Sequence, residues 1–102
     1  MKFQQLRYLL AIADNGLNIT AAAKQLFTSQ PGVSKQLKLL EDELGVQLFI
    51  RNGRSLTRIT PSGEQIIVHA RVIMREVDSI RSVCRDLANE ERVVRLTTGQ
   101  NR

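Results

Sequence analysis

The sequence is poor in the residues that most often carry covalent or aromatic structure. Its 102 residues include no tryptophan and a single cysteine, and only 4% are aromatic. One cysteine cannot form an intramolecular disulfide, which is typical of proteins from a reducing compartment such as the cytoplasm. A signal-peptide pattern and an apolar run of membrane-spanning length are both missing. We therefore expect a cytoplasmic domain with a mainly aliphatic core, which the hydrophobic content of 42% supports.

The scarcity of histidine and cysteine argues against catalysis. The only histidine, His69, and the only cysteine, Cys84, fall on one predicted helix. Their separation there is about 22 Å, too far for a nucleophile–base pair. Metal-ligand spacings and phosphate-binding glycine loops are also missing from the sequence. We expect no enzymatic activity and no cofactor in this chain.

The chain has fewer acidic than basic residues, and the difference is larger in its N-terminal part. The chain has 15 Lys and Arg residues against 10 Asp and Glu residues, a net charge of +5. Residues 1–60 hold eight basic and four acidic residues, hence +4, whereas residues 61–102 hold seven and six, hence +1. This distribution predicts that the N-terminal part binds a polyanion.

Apolar spacing and helix-end signals predict three short helices in the first 45 residues. Asn15-Gly16 ends the first helix, and Asn18 caps an alanine-rich second helix. Ser29 caps the third, where Pro31 falls in the first turn and its missing N–H costs little. Gly45 then ends this helix.

The pattern changes to short strands at 48–51 and 56–59. Asn52-Gly53 lies between the two runs and is a strong hairpin signal, because both residue types tolerate positive φ. Thr60-Pro61 then predicts the cap and first residue of a fourth helix.

The fourth helix is predicted from Pro61 to about Glu91 and carries an apolar heptad seam. So long a helix needs a partner, and we expect it to dimerise; the alternative is that the seam packs on a downstream domain. Residues 93–97 resemble a strand with nothing to pair with, so the chain reads as the front of a longer protein. The predicted dimer interface is Ile66, Ala70, Ile73, Val77, Ile80, Cys84 and Leu87.

The second and third helices predict a helix-turn-helix over about 18–38, which the hairpin at 48–59 makes winged. The apolar stripe of the third helix faces inward, so its polar row points outward and can contact base edges or phosphates. Glu41-Asp42-Glu43 would repel phosphate, so that end should point away from DNA. The outward row is Gln30, Ser34 and Lys38, and the basic wing residues are Arg51, Arg54 and Arg58.

The motifs also resemble a family. NITAAAKQL (18–26), TSQPGVSKQ (28–36), LEDELGVQLF (40–49) and LTRITPSG (56–63) are similar to the N-terminal part of LysR-type transcriptional regulators. The finer pattern resembles the branch that contains regulators of cysteine biosynthesis, which implies control of sulfur assimilation genes.

The resemblance implies a mostly α fold: a winged helix-turn-helix of three helices and a two-stranded wing, followed by a long dimerisation helix. The implied domains are a DNA-binding domain at 1–59, a linker helix at 60–92 and the start of an effector-binding domain at 93–102. The implied partners are an inverted-repeat DNA operator and a second copy of the chain. The full-length protein would form higher oligomers, and its effector domain would bind a small-molecule inducer. The DNA contacts carried over from the family are Thr20, Ser29, Gln30, Pro31, Ser34, Lys35, Lys38 and Arg54.

One alternative remains for the helix-turn-helix. A protein-interaction or dimerisation module could keep this motif without reading DNA. Such an interface would not need the concentrated positive charge of residues 1–60, so the salt dependence of binding discriminates between the two hypotheses.

Overall fold

The computed structural model describes the backbone of residues 1–99 and the side chains of residues 1–92. Three helices are followed by a hairpin and one long helix, which confirms the predicted fold class. The elements are α1 (Phe3–Asp14), α2 (Ile19–Gln25), α3 (Gln30–Leu44), β1 (Phe49–Asn52), β2 (Ser55–Ile59) and α4 (Pro61–Gly99).

The caps of α2 and α3 form where the sequence predicts them. The Asn18 side chain accepts a hydrogen bond from Ala21 N at 2.9 Å and caps α2. Gly45 ends α3 in the left-handed conformation, with φ of 73°. These signals act within one turn of chain, which is why they can be read from sequence.

The core is mainly aliphatic and lies between α1, α2, α3, the base of the hairpin and the start of α4. Phe49 is its largest fully buried side chain, and Leu9, Ile12 and Leu40 are also fully buried. Ala22 and Ala23 bring α2 close to its neighbours, because both are buried and neither has a bulky side chain. The core thus fixes α2 and α3 relative to each other and to the hairpin.

The hairpin closes through a two-residue loop. Asn52 pairs with Ser55, so Gly53 and Arg54 form the turn, and Gly53 takes a φ of 64°. Asn52 itself keeps a negative φ, and positive φ at the first loop residue alone is the pattern of a type II′ turn. Thr57 is an extra residue in β2, where the register shifts by one.

Helix α4 is anchored to the hairpin at its start. Thr60 caps it by accepting from Gly63 N at 2.9 Å. A Cβ on Gly63 would overlap the backbone carbonyl of Leu48 and lie 2.8 Å from the Ile59 side chain. Only glycine therefore lets α4 approach the strands this closely.

The later course of α4 corrects two predictions. The helix runs to Gly99 rather than ending near Glu91, and the strand predicted at 93–97 is wrong because these residues continue the helix. No glycine or proline interrupts the sequence from 64 to 98. Adding residues to an existing helix gains one hydrogen bond each, whereas an isolated strand gains none.

The first half of α4 packs against α1. Arg71 also bridges the two helices: its Nη2 donates to Asp14 Oδ1 at 2.8 Å. That hydrogen bond raises the pKa of the Arg71 guanidinium above its ordinary value. Over the residues that the structure describes, the helices include none both long and apolar enough to cross a membrane.

Candidate DNA interface

The first turns of α2 and α3 meet at the surface. The Thr20 hydroxyl donates a hydrogen bond to Gln30 Oε1 at 3.1 Å, and both side chains are exposed. Thr20 lies in the first turn of α2, and Gln30 is the first residue of α3. Because the amide oxygen accepts from Thr20, the Gln30 amide keeps its two N–H bonds as donors for a partner. A purine N7 or a phosphate oxygen is the kind of acceptor that suits such a donor.

The start of α3 is capped by its own chain. Ser29 Oγ accepts from Gly32 N at 3.1 Å, as its predicted N-cap role requires. A Cβ on Gly32 would lie 3.0 Å from that hydroxyl and 3.5 Å from Thr28 Oγ1. The Ser29 hydroxyl that caps the helix therefore occupies part of the space beside Gly32. Pro31, in the same turn, is exposed.

A groove of about 530 Å³ lies between the first half of α3 and the hairpin. Three of the side chains that line it carry positive charge: Lys38, Arg51 and Arg54. We call it the α3–wing groove. Its lining residues are Ile19, Gln30, Pro31, Ser34, Leu37, Lys38, Arg51, Gly53, Arg54 and Leu56.

The predicted polar row of α3 faces this groove. Gln30, Ser34 and Lys38 all line it, as expected for residues four apart on one helix. Lys38 also lies 3.4 Å from Asp42, in an exposed pair that solvent screens. Lys35 is exposed on α3 but outside the groove lining.

Other polar side chains of the motif point elsewhere. Gln36 accepts a hydrogen bond from Gln5 Nε2 at 3.3 Å and so turns toward α1. Of the residues predicted to contact DNA, Thr20, Ser29 and Lys35 lie outside the groove lining. Thr20 is linked to the groove through its hydrogen bond to Gln30.

The two wing arginines differ in their surroundings. Arg54 lies in the hairpin loop and is exposed at the groove edge. Arg51 instead forms a two-point pair with Glu41, with Nη2 at 2.6 Å and Nη1 at 3.4 Å from the carboxylate oxygens. Arg51 therefore lines the groove with part of its guanidinium held by a buried carboxylate, and its contact with DNA stays a prediction.

Sequence reasoning missed Glu41. It was grouped with two exposed acids, yet its side chain is only 3% exposed. The signal was available: Glu41 follows Val33 and Leu37 at four-residue intervals, on the apolar stripe of α3.

The predicted dimer seam of α4 divides into two parts. Ala70 is 1% exposed within the monomer, so it has almost no surface left for a partner. Ile66 and Ile73 are partly buried against the same core, and Val77 is half-buried. Heptad spacing detected an apolar seam but could not tell that its first turns pack on α1.

The exposed apolar surface of α4 coincides with that seam only in part. Of the predicted seam residues, Ile80 and Leu87 are more than half exposed, and Cys84 is exposed too. Val68, Val72 and Val83 were not predicted and are exposed as well. We call the set Val68, Val72, Ile80, Val83 and Leu87 the α4 ridge.

Three helices, a capped third helix and a hairpin wing define a winged helix-turn-helix protein. Residues 3–64 match the family described as "Bacterial regulatory helix-turn-helix protein, lysR family". This chain belongs to that family.

Named relatives share the motif region. The chain is 51% identical to the transcriptional regulator CysB of Haemophilus influenzae over 83 residues, which are 81% of this chain and 26% of that protein. It is 39% identical to the regulator cbl of Escherichia coli over 90 residues, 88% of this chain and 28% of that one. The chain thus spans between a quarter and a third of the length of these curated relatives.

A solved structure has the same architecture. The CbnR_DBD–DNA complex superposes with a TM-score of 0.76 at 38% identity, covering 86% of this chain and 99% of that one.

Proposed function

We propose that this chain is the sequence-specific DNA-binding domain of a dimeric transcriptional regulator. The observation that carries the proposal is the α3–wing groove, where a row of polar side chains faces two basic side chains of the wing. A duplex offers both kinds of partner, since base edges accept hydrogen bonds and phosphates attract the cations.

The groove suggests how the duplex would dock. The first turn of α3 enters the major groove, where Gln30 and Ser34 meet base edges and the helix N-terminus favours phosphate. Arg54 then lies over the adjacent backbone or minor groove. Glu41, at the far end of α3, is buried and so stays away from the phosphates.

Two observations outside the groove support the proposal. The structurally similar CbnR domain was solved as a complex with DNA. The excess positive charge of residues 1–60, eight basic against four acidic, also matches a polyanionic partner.

The competing hypothesis is an interaction module that does not read DNA. The discriminating experiment is binding of the chain to a fluorescent duplex at 50 to 200 mM salt. We expect the affinity to fall by at least tenfold, because several Lys and Arg contacts release counterions. An affinity that stays flat across this range would reject DNA as the partner.

We propose that the α4 ridge supplies the dimer contact. Ile80→Glu with Leu87→Glu should convert a dimer to a folded monomer in sedimentation, because two charges would be buried between the helices. The matched control is Ser82→Glu with Asn89→Glu, which adds the same charges at the same spacing on the opposite face. A dimer that survives the ridge change, or is lost in the control as well, would place the contact elsewhere.

The relatives suggest a regulon. Similarity to CysB and cbl supports control of sulfur assimilation and cysteine biosynthesis genes, with a small-molecule inducer acting through the effector domain of the full-length regulator. Genome-wide occupancy of the full-length regulator in its host tests this directly. Occupancy that avoids the promoters of sulfur genes would refute it.

A further inference from the structure

A buried carboxylate joins α3 to the wing. Glu41 is 4% exposed and lies on the apolar stripe of α3, where a charge is costly unless it is paired. Within the described residues it is the only buried residue with a charged side chain. A charged residue at this buried position is expected to do more than fill space in the core.

The carboxylate makes three hydrogen bonds to the next segments of the chain. Glu41 Oε2 accepts from the Leu48 backbone N–H at 2.7 Å and from Arg51 Nη1 at 3.4 Å. Glu41 Oε1 accepts from Arg51 Nη2 at 2.6 Å. A planar guanidinium held at two points has a fixed orientation. The Glu41–Arg51 pair therefore fixes where β1 begins and how this strand of the wing lies against α3.

The same backbone segment is also held from the other side. The Leu48 carbonyl accepts from Thr60 N at 3.0 Å, directly before α4 begins. The base of the wing is therefore fixed between the end of α3 and the start of α4. Arg51 and the loop residue Arg54 both line the α3–wing groove, opposite Gln30 and Ser34.

We infer that Glu41 is a positioning residue for DNA binding: through Arg51 it sets the wing so that Arg54 reaches the duplex while the first turn of α3 is in the major groove. This inference rests on the proposed function. Glu41 itself does not line the groove, so any effect on Arg54 passes through the hairpin. The consequence is energetic coupling between two side chains that do not touch.

A double-mutant cycle measures that coupling. The probe is a duplex selected by the wild-type chain from a random pool, and the variants are Glu41→Gln, Arg54→Ala and both together. In the wild-type background we expect Arg54→Ala to weaken binding about tenfold and to lower the salt slope by about one. In the Glu41→Gln background the same change should weaken binding less than about twofold, because Arg54 no longer reaches the DNA.

Glu43→Gln is the matched control. It removes the same charge from the same helix, but Glu43 is exposed and pairs with the chain's amino terminus at 2.6 Å. In this background Arg54→Ala should keep its full effect. Thermal unfolding of each variant verifies that it is folded at the temperature of the measurement.

Each outcome decides between the hypotheses. Equal effects of Arg54→Ala in the wild-type and Glu41→Gln backgrounds would overturn the positioning role and leave Glu41 a purely structural residue. If Glu41→Gln does not fold, Arg51→Lys replaces it in the cycle, since lysine keeps the charge but loses the two-point geometry. A wild-type chain that selects no duplex would refute the proposed function and this inference together, whereas additive effects refute only the inference.

Discussion

The two ends of α3 have opposite surroundings. Its first turn carries the exposed residues Gln30 and Pro31, whereas its later turns hold Leu40 at 0% exposed and Glu41 at 4%. Gln30 and Pro31 are thus free to contact a partner, whereas Leu40 and Glu41, with Val33 on the same buried stripe, hold the helix in the domain. The contrast shows that one helix can carry residues for recognition and residues for stability side by side.

The largest expected effect comes from the buried end. Leu40→Ala should lower the free energy of unfolding by about 2–5 kcal/mol, because it removes buried methyl groups and leaves a cavity. Chemical denaturation measures the loss. Leu39→Ala is the neighbouring control; Leu39 is 46% exposed and should cost much less. Equal losses at the two positions would contradict the assigned orientation of α3.

The exposed end should affect binding instead. Gln30→Ala should weaken binding to the selected duplex by about 1–3 kcal/mol, since one base contact is lost. Binding to random duplex and the unfolding midpoint should change little. Gln47→Ala, an exposed change outside the groove lining, serves as the control. A comparable loss on random duplex would mean that Gln30 contacts only phosphates.

The expected effect of removing the N-cap of α3 is intermediate in size. Ser29→Ala should destabilise the fold by about 1 kcal/mol, because Gly32 N–H loses its acceptor. Ser29→Thr keeps a hydroxyl and should retain most of the stability. Thermal unfolding compares the two variants, and an alanine variant as stable as wild type would show that the cap contributes nothing.

The smallest effect is expected at Thr20. Thr20→Val removes the hydrogen bond to Gln30 Oε1 and should weaken binding to the selected duplex by up to about 1 kcal/mol. Thr20→Ser keeps the hydroxyl and should bind as wild type does. Repeating the selection with both variants tests for a changed base preference at one position. Identical base preferences for the valine variant and wild type would show that the orientation of the Gln30 amide does not depend on Thr20.

Local signals explain what could be predicted from sequence. Asn18, Ser29 and Thr60 each cap a helix through a backbone N–H within three residues, so the residue type and its position suffice. Asn52-Gly53 likewise indicated the hairpin, although the loop begins one residue later than Asn52. The outward row of α3 followed from its apolar stripe.

Contacts between distant segments explain what was missed. The pairing of Glu41 with Arg51 depends on how the hairpin folds back onto α3, which the spacing of either residue does not reveal. The heptad seam of α4 showed which residues are apolar but not that Ala70 is buried within the monomer. The strand predicted at 93–97 followed from β-branched residues alone, and the preceding helix overrides that preference.

The central claim is that the exposed first turn of α3 reads a DNA sequence. Selection of duplexes from a random pool by the wild-type chain, followed by sequencing, tests it most directly. We expect enrichment of an inverted repeat, with half-sites about one helical turn apart or more, because a dimer presents two copies of α3. Recovery of duplexes with no shared sequence would contradict it.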